Sequence, residues 1–316
     1  MTAPPDAPPD APPAASPRQR SKIARLRAAW RVMPGNHRGA IWMLIGATGF
    51  TLNGALVKLL GAGGMHPFEI SFVRSLVALL AMLPFIWRAG PGVLRSNHLG
   101  IHLTRGTAGG IAMICAFYAL TKIPLADFTA LSFTTPLFIL LLAALLLRER
   151  VGPRRWGAVA VGFLGVLVMT RPGVGTFDPN ALGVLVMALG IAIAVVLVKR
   201  LPPSESQVTM LTYFCLVSMA ISALPAALVW RAPTATEALL LVAIGLLGVG
   251  SQSLAIRAFR AGEASFIAPF EYSSLLFAAA LGFYLFAEAP DPWSYLGAAI
   301  IIAATLYLAR HGSRVS

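Results

Sequence analysis

From Ala181 to Val198 the chain runs for 18 residues with no charge and no polar side chain. At 1.5 Å of rise per residue, a helical block of this length covers roughly 27 Å, close to the ~30 Å hydrocarbon layer of a bilayer. Phe133–Leu147 and Gly157–Met169 are further blocks of this kind. None of them alternates apolar with polar residues, so a membrane β-barrel does not fit. Composition agrees. Hydrophobic residues make up 57% and charged residues 12%, whereas a soluble domain averages about 45–50% and about 25%. The expected fold is an all-α polytopic membrane protein.

Ten spans are expected, near residues 39–60, 69–87, 103–121, 126–147, 155–170, 181–198, 208–230, 237–256, 264–286 and 293–309. Residues 1–38 precede them as a Pro-rich segment and then a basic, somewhat amphipathic one, expected to be a cytoplasmic tail. Residues 311–316 form a short C-terminal tail. The first apolar block starts near Gly39, behind a basic segment, and reads as a span instead of a cleaved leader. With the N-terminus in the cytoplasm, 19 of the 25 Lys and Arg fall on the cytoplasmic side, three on the other side and three inside spans. That asymmetry matches the positive-inside rule for a multi-pass inner (plasma) membrane protein with both termini cytoplasmic. It also accounts for the net charge of +13 without nucleic acid. Cys115 and Cys215 both fall in mid-span and read as packing residues.

The chain repeats itself. "FTLNGALVKLL" (50–60) aligns with "IAIAVVLVKRL" (191–201) at an offset of 141, which puts Lys58 on Lys199. "IWR" (86–88) aligns with "VWR" (229–231). "FTTPLFILLLAALLLRERVGP" (133–153) aligns with "YSSLLFAAALGFYLFAEAPDP" (272–292) at an offset of 139, pairing Glu149 with Glu288. Each copy then holds five spans. An odd number of crossings turns the second copy over relative to the first, an architecture that in transporters places the substrate site between the halves.

"FYALTKIPLADFTALSFTTPLFILLLAALLLRERVGPRRWGAVAVGFLGVLVMTRPG" (117–173), "APFEYSSLLFAAALGFYLFAEAPDPWSYLGAAIIIAATLYLAR" (268–310) and "FVRS" (72–75) together resemble the drug/metabolite transporter superfamily, in particular the EamA-type permeases. The resemblance covers roughly residues 39–310. It implies two five-helix repeats, 39–173 and 181–310, inverted about a central cavity lined mainly by the first four spans of each half. It further implies secondary transport of a small organic metabolite, and leans towards export. Importers of vitamins or nucleotide-like metabolites and lipid translocators are similar at this level, so these stay open. So does a sensor or scaffold that transports nothing.

Charges inside spans are costly and usually face a cavity or a partner. Glu271 is the deepest acid, and its repeat mate is Ser132, so the charge belongs to one half only. Glu271 can hold a substrate amine, couple a proton, or pair with Arg105. Arg74 suits an anion clamp, with a pair to Glu69 or snorkelling to the interface as the plainer alternatives. Lys58 reads as a snorkelling or gate residue, and Asp127 as a helix cap. Glu149 and Glu288 read as structural residues at span ends. Asn53, Tyr118, Ser132 and Tyr272 are candidate cavity residues, and Pro136 should bend span 4. No GxxxxGK[S/T] phosphate loop, HExxH or other metal-ligand cluster, or Ser-His-Asp set occurs, so neither ATP hydrolysis nor an enzyme, metal or cofactor is expected. The partners expected are the bilayer and a small polar metabolite, with amino-acid-like or otherwise charged chemistry.

Overall fold

The computed structural model describes residues 30, 32–90, 92, 95–147, 152–171, 178–198, 200–202, 205–261 and 267–311. Among them every regular element is helical. Span 1 is Gly35–Ala62, span 2 Pro67–Ala89, span 3 Leu99–Leu120, span 5 Pro153–Thr170, span 6 Ala181–Val198, span 7 Gln207–Val229, span 8 Ala235–Ala261 and span 10 Pro292–His311. Span 4 consists of two helices, Leu125–Ser132 and Thr135–Leu146. Span 9 joins a 3₁₀ turn, Ala268–Tyr272, to an α-helix, Ser273–Phe286. Seven of these are long and apolar enough to cross a bilayer, and the apolar helices of spans 5, 9 and 10 are shorter.

Local chemistry sets the span ends. "HPFE" starts span 2 with a capping box: the Glu69 carboxylate accepts from the His66 N–H at 2.9 Å, and Pro67 occupies the first helical turn. Ser206 and Thr234 cap spans 7 and 8 with their hydroxyls. Asp291 caps span 10 by accepting from the Ser294 N–H at 2.7 Å. Span 3 begins at Leu99, one turn before the expected start, so His102 lies within it and is fully buried.

The packing is symmetric under exchange of the two halves. Span 1 packs on span 8, and its counterpart, span 6, packs on span 3. Span 3 also packs on span 7, and span 8 on span 2. Span 4 packs on span 6, and span 9 on span 1. Spans 2 and 7, 4 and 9, and 5 and 10 each pack against their own mates. Each half crosses five times, so the exchange carries one face of the bundle onto the other, the inverted two-fold relation the repeat predicts.

Span ends divide into two faces. On the tail face, where span 1 begins and span 10 ends, Arg200 donates to the Leu146 carbonyl at 2.8 Å, tying the ends of spans 6 and 4. On the far face, Arg231 joins the span 1–2 and span 7–8 turns: its N–H donates to Glu69 at 2.6 Å and its side chain pairs with Glu237.

Candidate functional site

The repeat-related spans 4 and 9 break at the same place. In span 4 the Thr134 N–H and hydroxyl both turn back to the Leu131 carbonyl, at 3.0 and 2.7 Å. In span 9 the Ser273 hydroxyl donates to the Phe270 carbonyl at 2.7 Å. Thr134 and Ser273 are mates at the offset of 139, as are Leu131 and Phe270. The side-chain hydroxyls thus satisfy carbonyls that the breaks release, which is what makes irregular backbone tolerable at membrane depth. Pro136 falls in the first turn of the second span 4 helix, where its missing N–H is harmless. It therefore marks the restart of a helix that is already broken.

Phe133 and Tyr272 are also repeat mates, and their rings touch, with centroids 4.6 Å apart and planes at 42°. Mates that touch one another must straddle the axis that relates them. Glu271 and Ser132, each one residue earlier, flank this point. Ser132 is half-buried, and its hydroxyl donates to the Phe128 carbonyl at 2.7 Å. Glu271 is exposed, and among the described residues its carboxylate has no hydrogen bond and no ion pair. The structure therefore gathers Glu271, Tyr272 and Ser132 beside the axis.

The other candidates lie apart from that cluster. Arg105 donates to the Met210 carbonyl on span 7 at 3.0 Å, so it is not the partner of Glu271. Arg74 does not pair with Glu69, whose two oxygens accept from the His66 and Arg231 N–H groups. Its guanidinium instead points inward. Nη1 lies 2.6 Å from the Met113 sulfur, and the Phe117 ring centroid is 5.8 Å away. A β-carbon on Gly248 would sit 2.9 Å from Nη2, so that glycine makes the space. Among the described residues no carboxylate pairs with Arg74, and its Nε has no acceptor. Asn53 is buried and donates to the Ile244 carbonyl at 2.6 Å, binding span 1 to span 8. Tyr118 is exposed, at 44%, near the far end of span 3.

Lys58 and Glu288 form the ion pair the sequence reading lacked. Lys58 Nζ is 2.5 Å from Glu288 Oε1 and 2.5 Å from the Ile123 carbonyl, and 5.5 Å from the Phe286 ring centroid. Glu288 Oε2 accepts from the Leu125 N–H, the first residue of span 4, at 2.9 Å. The repeat mates of this pair, Lys199 and Glu149, lie outside the described residues. Asp127 stands beside the pair at the start of span 4, with Oδ1 buried and unbonded. A cavity of about 280 Å³ opens next to it, lined by Asp127, Asp178, Arg171, Asp291 and Ser294 among others. His102 is a further interior residue that the sequence alone does not place. It contacts Glu205 at 3.2 Å and stacks on Tyr213 at 4.8 Å, joining span 3 to the second half on the tail face. Only its place one turn inside "HLGIHLTR" hinted at this.

A two-repeat helical membrane protein, with paired helix breaks and a carboxylate at its axis that has no partner among the described residues, is the class these observations define. The model of the EamA-like transporter family matches the chain twice, over residues 37–171 and 179–310, and the chain belongs to that family. It is 32% identical over 270 residues to the S-adenosylmethionine uptake transporter of Rickettsia prowazekii, covering 85% of this chain and 92% of that one. It is 30% identical over 278 residues to the riboflavin transporter of Rhizobium johnstonii, covering 87% and 92%. It is 30% identical over 277 residues to the pseudopaline exporter of Pseudomonas aeruginosa, covering 86% and 96%. The chain is a multi-pass membrane transporter, and its family and relatives are transporters, not enzymes.

Proposed function

We propose that this chain is a secondary carrier of a small, charged organic metabolite, working by alternating access between its two inverted halves. The observation that carries the proposal is Glu271. It is a carboxylate without a partner among the described residues, set at a helix break beside the axis and next to the Tyr272–Phe133 ring pair. A carboxylate in such a place is retained at a cost of ~2.5–3.5 kcal/mol on insertion scales, which a cationic group on the substrate offsets. The aromatic pair adds a face that attracts cations. Arg74, also without a carboxylate partner among the described residues, supplies a complementary site for an anionic group. Together they suit a molecule carrying both charges. S-adenosylmethionine, named for one relative, has an ammonium, a sulfonium and a carboxylate.

The relatives include an uptake transporter and an exporter, so the shared fold serves both directions. Export, towards which the family resemblance leans, would appear as substrate accumulation in everted membrane vesicles.

The binding test is thermal stability of purified protein, wild type and Glu271→Gln, against S-adenosylmethionine, riboflavin, amino acids and polyamines. A ligand at 100 times its Kd should stabilise the wild type by ~2.7 kcal/mol. The expected result is a ligand that shifts wild type and leaves Glu271→Gln unmoved. Equal shifts in both proteins would remove Glu271 from the site.

A further inference from the structure

We infer that the Lys58–Glu288 pair is the latch that holds the far face closed between the two halves. Three features of the pair support this. The first is connectivity: Lys58 belongs to span 1, Glu288 follows span 9, and the backbone groups they bind, the Ile123 carbonyl and the Leu125 N–H, flank the start of span 4. One side-chain pair thus fastens the second half to two spans of the first. The second is burial: the two side chains are only 11% and 18% exposed, so water screens their attraction weakly, and separating them leaves two poorly solvated charges.

The third is the local backbone, which is bent to deliver Glu288. Ala287 takes φ 53°, in the left-handed region, and the Glu288 N–H then bonds back to the Gly282 carbonyl at 3.0 Å. This lays the carboxylate over Gly282, where a β-carbon would stand 3.2 Å from Oε2. A non-glycine residue held in a left-handed turn is strained unless neighbouring structure fixes it. Here the turn places the one acid of the far end of span 9 on the lysine of span 1. Span 9 carries the helix break and the axial Glu271, so releasing its far end frees the element that bears the site. Asp127, with its unbonded oxygen beside the pair, is an alternative acceptor for Lys58 once Glu288 moves away.

The inference rests on the alternating-access reading, but its test needs no substrate, so a failed ligand screen leaves it standing. Cys115 and Cys215 are replaced by alanine and a reporter is introduced as Ser132→Cys. That position lies seven residues beyond Leu125, roughly 10 Å behind the latch along span 4. Membrane-impermeant maleimide is applied from each face in turn, to the parent, Lys58→Met and Glu288→Gln. Glu288→Gln keeps an acceptor for the Leu125 N–H, so it opens the ion pair without uncapping span 4, and it decides the matter if Lys58→Met fails to fold. The expected result is labelling from the far face faster by about tenfold or more, with labelling from the tail face slowed, because opening one face of such a carrier closes the other. An unchanged far-face rate in Glu288→Gln overturns the inference. So does a faster far-face rate with no fall on the tail face, which would mean a loosened turn and not a gate.

Discussion

Asp291 shows how much a single loop residue is asked to do. It caps span 10 through the Ser294 N–H and pairs with Arg171 at the end of span 5. Burial pushes its carboxyl up, but the Ser294 amide and hydroxyl and the Arg171 guanidinium outweigh that and hold it below the ordinary carboxylate value. A carboxyl lowered by folding stabilises the fold fully above its ordinary value of 3.8 and loses that contribution as pH falls through the folded value. Asp291→Asn should therefore be less stable than wild type at neutral pH, and the gap should close below about pH 4. Its size should be near the ~0.2–1 kcal/mol of a solvent-screened pair, read as the shift in unfolding midpoint in detergent at a series of pH values. A gap that stays constant with pH would mean that the loss does not come from the charge of the carboxylate. The sequence places the start of span 10 near residue 293, but nothing local to it names Arg171, 120 residues away.

Spans 5 and 10 illustrate the next scale. They pack on one another through glycines. A β-carbon on Gly297 would lie 2.7 Å from the Gly165 carbonyl oxygen, and one on Gly165 would lie 3.0 Å from the Gly297 carbonyl oxygen. These carbonyl oxygens are backbone atoms, which cannot rotate aside, so close approach here depends on glycine. Gly297→Ala should separate the pair and cost about 1–3 kcal/mol, the usual price of overpacking, seen as a lowered melting temperature. Gly157, whose β-carbon would meet nothing within 4 Å, is the control, and its alanine variant should melt no lower than wild type, since alanine is the better helix former. Element positions were largely legible beforehand, since each span is a run of apolar residues closed by Gly, Pro or a capping box. The breaks in spans 4 and 9 were less so. Pro136 pointed to one of them, but the carbonyl-seeking hydroxyls of Thr134 and Ser273 were indistinguishable from ordinary helix-face residues.

For the molecule as a whole, the exchange symmetry of the packing fits an odd number of spans per half, and the Lys/Arg asymmetry predicts a cytoplasmic tail face. With the tail face in the cytoplasm, reporters fused after Ser316 and before Met1 should both read as cytoplasmic, and one inserted at Gly63–Gly64 as external. A C-terminal reporter on the external side would overturn the ten-span topology with it. The duplicated fold does not duplicate this charge: Glu271 occurs once, opposite Ser132, as the proposed contact with the cargo requires of one half only.

Span number, repeat length, orientation bias and the singular carboxylate were all determined by the sequence alone. Each depends on the transfer free energy of one segment, or on a comparison of segments, and both are local. The pairing of Lys58 with Glu288, the inward turn of Arg74 to Met113 and the engagement of Asn53 with Ile244 were decided only by the tertiary structure. Those partners lie on different spans, and which spans touch follows from one half packing into the other. Helix periodicity gives the face on which a side chain stands. It does not give the helix that will stand opposite.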